Sequence, residues 1–128
     1  MGTPKSVNFE MLRTRWPELA NLGAVAEQYV HTDPESCLVK LRNYLELVVR
    51  WIYRDQRLEQ GYRASLYDLI KDDVFQSVIP TSVTLKMDAL RIHGNRAAHG
   101  DHIKPKDALW LLQEAFYVGG WMYLSHGN

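Results

Sequence analysis

The sequence predicts an all-α fold, an up-and-down bundle of four main helices plus one or two short ones. Apolar residues recur three and four positions apart along most of its 128 residues. Prolines and oxygen-bearing residues stand where those runs begin. No two segments alternate in the manner of a hairpin, since Phe75-Gln76-Ser77-Val78-Ile79 is isolated.

Each element follows from its own residues. Residues 1–7 read as a flexible arm, although Met1-Gly2-Thr3-Pro4-Lys5-Ser6 also matches the N-myristoylation pattern. Residues 8–125 read as one helical domain and 126–128 as a short tail. Phe9, Leu12 and Trp16 follow a cap expected at Asn8, and Pro17 suits the first turn of a helix. Leu19, Leu22, Ala26, Tyr29 and Val30 give that helix one apolar stripe, ending near His31. Asp33-Pro34 starts the longest pattern, in which Cys37, Leu38, Leu41, Leu45, Val48, Val49 and Ile52 face one way as far as about Leu58. Gly61 interrupts it. Ser65-x-x-Asp68 reads as a capping box for a short helix, and a single turn is expected at 74–77. Thr81 or Ser82 is expected to cap a helix through Val83, Met87, Leu90 and Ala97 or Ala98, which Gly100 ends. Pro105 opens the last helix, with Ala108, Leu111, Leu112, Ala115, Val118, Gly119 and Met122 inward.

Composition sets limits on function. Fifteen Lys and Arg balance 15 Asp and Glu, which argues against coating nucleic acid through charge alone. The lone Cys37 excludes an internal disulfide and fits a reducing, cytoplasmic setting. No run approaches the roughly 20 apolar residues of a membrane span, so no membrane partner is expected.

One segment concentrates chemistry. Three of the five histidines, His93, His99 and His102, fall within Arg91–His102. Arg91, Asn95 and His99 are four apart and form one polar stripe at the end of a helix. From Lys86 to Lys106, Lys86, Arg91, Arg96, Lys104 and Lys106 outnumber Asp88 and Asp101, giving a neutral chain one basic corner. A cation, an amide and an imidazole together can hold a phosphate or move a proton near neutral pH. The same residues also suit a purely structural role: a helix-end His followed by Gly favours the dipole and the C-cap, and Arg91 can pair with Asp88. The histidines lack recognised ligand spacing, so neither metal nor cofactor is expected. The row Arg50-Arg54-Arg57, with Arg42 before it, matters only if it lies beside the basic corner.

Several separated motifs carry a resemblance. Phe9-x-x-Leu12-x-x-x-Trp16-Pro17-x-Leu19, Ala26-Glu27, Asp33-Pro34, Leu38-x-Lys40-Leu41-Arg42, Glu46, Leu66-Tyr67-Asp68-Leu69 and Gly94-Asn95-x-Ala97-Ala98-His99 resemble the helical domain at the front of many type I restriction enzyme R subunits. That domain is similar to the HEPN superfamily, whose members are α-bundles, often dimers, common in prokaryotic defence and mobile elements, and often ribonucleases. Active members carry Arg, a polar residue, three further residues and His. Aligned on His99, the polar position is Asn95 and the Arg position is Gly94.

The resemblance implies a non-catalytic binding or assembly module of a restriction-modification or other defence system. It is expected to form a homodimer and to contact a partner protein or nucleic acid through Gly94–His99, with Arg91, His93, Arg96 and His102 alongside. Two alternatives stay open. One is a metal-independent ribonuclease with His99 as acid/base, Asn95 as orienter and Arg91 or Arg96 on the phosphate. The other is a small-nucleotide binder.

Overall fold

A computed structural model describes residues 4–127. Met1–Thr3, the first half of the myristoylation pattern, and Asn128 lie outside the described residues. The elements are a 3₁₀ turn at Glu10–Leu12, then α1 (Pro17–Tyr29), α2 (Pro34–Asp55), α3 (Leu66–Lys71), α4 (Asp73–Val78), α5 (Thr81–Ala98) and α6 (Pro105–His126). The chain is therefore all-α over its described residues, with four long helices and two short ones.

Local chemistry explains most boundaries. Asp33 accepts from the Ser36 N–H (3.2 Å) and its hydroxyl (2.6 Å), and Pro34 fills the first turn, where its missing donor is harmless. Ser65 and Asp68 form a reciprocal capping box around α3. Asp72 caps α4, which extends the single expected turn. Two expected caps are corrected. Asn8 caps nothing; the Ser6 hydroxyl instead accepts from the Asn8 and Phe9 N–H groups, and the segment tightens into the 3₁₀ turn. Thr81 and Ser82 make no cap either, because α5 begins at Thr81 directly after Pro80. α2 ends at Asp55 rather than near Leu58, where Arg57 takes a left-handed conformation.

Residues 4–7 lie against α1. Glu27 accepts from the Ser6 hydroxyl (2.8 Å) and the Asn8 N–H and amide (2.8 Å each), and Ser6 is buried.

α2 is the central helix and packs against α1, α5 and α6. Arg42 meets Asn95 while Glu35 meets Ile103, so α2 and α5 run antiparallel. Tyr44 meets Ala115 while Trp51 meets His126, so α2 and α6 run parallel. The core stripe read from Cys37 to Ile52 is buried throughout. Burial pushes the Cys37 thiol up to about 12. Buried tyrosines spend their hydroxyls on helix carbonyls, Tyr44 on Ala115 (3.1 Å) and Tyr53 on Leu69 (2.5 Å). No strand occurs among the described residues, and no helix is long and apolar enough to cross a membrane.

Candidate functional site

The seam between α2 and α5 is the place where the singled-out segment meets the rest of the chain. Gly94 faces α2 from inside α5. A Cβ there would stand 2.6 Å from the Arg42 Cβ and 3.2 Å from the Leu38 carbonyl oxygen. Only glycine lets the two helices come this close. Over that contact the Arg42 Nε donates to the Asn95 Oδ1 at 2.6 Å. Arg42 Nη1 also reaches Glu46 at 3.4 Å, and Glu46 in turn accepts from Arg50 at 3.2 Å. Asn95, Arg42, Glu46 and Arg50 thus form a continuous polar row along the half-buried edge of α2.

His99 stands one turn beyond Asn95 as the C-cap of α5, and Gly100 follows with φ +89°, where a side chain would be strained. The His99 ring is exposed and has no hydrogen bond, ion pair or ring contact among the described residues. Along the same two helices the seam opens into a groove of about 450 Å³. Glu35, Ser36, Val39 and Lys40 line one wall, and Ala97 and Ala98 line the other.

The single stripe expected from Arg91, Asn95 and His99 divides. Arg91 turns to α3: it holds Asp88 at 2.8 Å and lies 4.9 Å over the Tyr67 ring. Asp88 also takes Lys71 at 3.2 Å, and these cations hold its carboxyl below the usual range against its burial. His93 turns to α6 and packs edge-on to Trp110 at 5.4 Å. Burial, with the Arg96 charge nearby, pushes its pKa down. His102 lies 3.4 Å from Glu35, which also accepts from the Ile103 N–H at 3.0 Å. That N–H first, and Glu35's own backbone N–H after it, hold Glu35 below the ordinary carboxylate range.

The basic corner is balanced by its neighbours. Arg96 meets Asp101 at 3.2 Å and Lys86 meets Glu114 at 2.6 Å, so of the five cations only Lys104 and Lys106 stand without an acid among the described residues. Among the described residues, no group of three or more His, Cys, Asp or Glu is arranged to hold a metal ion.

Arg42 is the seam residue that sequence reasoning left outside the site. Its signal was Gly94. A glycine inside a helix, away from any turn, marks a close backbone approach, and the helix that approaches brings its own side chains. Of the arginine row, Arg42 and Arg50 join the seam, whereas the exposed Arg54 lies at the other end of α2, beside Trp16 and Trp51.

A family model described as "Domain of unknown function (DUF4145)" matches residues 24–118. The match runs from within α1 to within α6 and takes in Arg42, Asn95 and His99. No curated protein and no solved structure matches the chain.

Proposed function

We propose that this chain, which belongs to the DUF4145 family, is a non-catalytic binding and assembly module. It serves a restriction-modification or other defence complex, pairs with a second copy of itself, and docks a partner through the α2/α5 seam. Kinship with HEPN bundles is part of this reading. Its support is the order of the helices and the Gly94–His99 segment ending α5.

One observation carries the proposal. Arg42 is committed to Asn95 and Glu46 beside an open groove with a small-residue wall, and His99, the C-cap of α5, is exposed. The guanidinium fixes the shape of the seam and shares the Glu46 carboxylate with Arg50. The groove offers apolar area, an acid and a base, a mixture that suits a protein surface better than a phosphate backbone. The paired state of Arg91, Arg96 and Lys86 points the same way.

The test is affinity capture from the native host with wild type, Arg42→Ala and Ala98→Glu. A partner retained by wild type and lost with both variants is expected. Undiminished capture by both overturns the docking surface.

A second reading has one specific observation in its favour. Arg42 brings a guanidinium to Asn95 from α2, where the aligned motif position is Gly94. A ribonuclease of this kind uses His99 as acid/base and Arg42, in place of Arg91 or Arg96, on the scissile phosphate. Incubation of RNA with wild type, His99→Ala and Arg42→Ala separates the readings. Cleavage by wild type that both variants lose establishes the enzyme, and background cleavage by all three removes it.

A further inference from the structure

We propose that the outer face of α6 is the surface on which a second copy of this chain pairs, antiparallel and about a two-fold axis. The inference rests on the self-association just proposed and assigns it a location, away from the α2/α5 seam.

The outward row of α6 reads Trp110, Gln113, Tyr117, Gly120 and Leu124, with Phe116 and Trp121 on its flanks. These positions are three and four apart and share one side. None is charged. Trp110, Phe116, Tyr117 and Leu124 are 42%, 47%, 48% and 81% exposed. With Leu109 and Tyr123 at the rim, and about 150–250 Å² for a whole aromatic side chain, one copy exposes on the order of 600 Å² of apolar side chain here. Two copies face to face cover roughly 1,200 Å², which reaches the lower bound of stable, specific interfaces. A helix apolar on all sides is a buried helix, and α6 is buried on only one.

The rings are already held in place. Trp110 donates its Nε1 to Glu114 at 3.1 Å and takes the His93 edge. Phe116 packs edge-on to Phe9 at 6.2 Å, and Lys86, itself paired with Glu114, lies 4.8 Å over the Tyr117 ring. Rigid aromatic anchors lose little freedom on association.

Gly120 identifies the occupant. Its neighbour Gly119 is explained inside one copy, because a Cβ there would collide with the Tyr44 hydroxyl. A Cβ on Gly120 would meet nothing within 4 Å. Alanine would fit and would favour the helix, so what needs the glycine lies outside the copy. Phe116, Tyr117, Gly120, Trp121 and Leu124 enclose a hollow of about 350 Å³ there. The hollow and the rings that could fill it sit on the same helix, as a self-complementary surface requires. A two-fold axis between residues 118 and 119 sets Tyr117 of one copy over Gly120 of the other. It also brings Gln113 beside Leu124, each contact made twice. The small residue at the crossing allows the two helix axes to approach to about 8 Å.

Sedimentation velocity at about 50 µM tests the pairing, a concentration that populates any dimer of micromolar affinity. Gly120→Gln and Leu124→Glu place side chains in open space, so circular dichroism should show both folded. The expected result is a wild-type dimer, with association at least tenfold weaker in both variants and unchanged in Tyr62→Glu, an exposed site on another loop. A monomeric wild type overturns this inference together with the self-association it rests on. A dimer that survives both variants, or one that Tyr62→Glu weakens equally, overturns the α6 location and leaves self-association standing.

Discussion

Gly94 shows how one missing side chain sets a site. Its Cβ would press on the stem of Arg42 and on the α2 backbone, neither of which can swing away. Gly94→Ala should therefore destabilise the fold by about 1–3 kcal/mol, as overpacking does, seen as a lower urea midpoint. Removing Arg42 beyond Cβ cannot restore it, because the nearest clash is with Cβ itself. His93 makes a second residue-scale prediction. Its folded pKa lies below the ordinary His value because burial disfavours the imidazolium. As pH falls below about 6.5, the unfolded chain takes up a proton that the folded chain resists, so stability drops. Between pH 7.5 and 5.5, wild type should lose more of its urea midpoint than His93→Phe, which keeps a ring against Trp110 and cannot titrate. Equal losses would show that His93 is not the responsible group.

At the scale of elements, helix existence was legible and several ends were not. Asp33-Pro34 and Ser65-x-x-Asp68 signal their helices because capping is decided by residues three apart. Asn8 misled because the cap-like oxygen that matters belongs to Ser6, held by Glu27 from a helix some 20 residues away. The site was half legible for the same reason. Spacing placed Asn95 and His99 on one side of α5, but rotation about the helix cannot reveal that α3 draws off Arg91, or that α2 supplies Arg42. Removing the Ser65 cap, Ser65→Ala, should cost about 1 kcal/mol, measured by chemical denaturation. The α2/α6 contact offers a paired test. Gly119→Ala forces a methyl against the Tyr44 hydroxyl, so it should destabilise by about 1–3 kcal/mol. Tyr44→Phe removes that oxygen and should recover part of the loss in the double variant. Strict additivity would mean the two residues do not press on each other.

Across the whole molecule, stability should fall on the acid side. Glu10 is held down at about 2, chiefly by Arg13, and Asp33, Glu35, Asp68 and Asp88 are also held below their ordinary values. Each stays ionised in the fold at a pH where the unfolded chain would protonate it. Their support is therefore complete above about pH 4.5 and is lost as acid reaches the folded values. Urea midpoints stepped from pH 5 to pH 2.5 should decline steadily, most of all where several of these carboxylates titrate together. Cys37 has a different use. The lone thiol is buried on the core face of α2, near that helix's N-terminal end. A disulfide reagent can reach it only in the instants when this end of α2 parts from its neighbours, so its labelling rate clocks how often that end of the bundle opens. The chain carries its own stopwatch, needing no engineered cysteine.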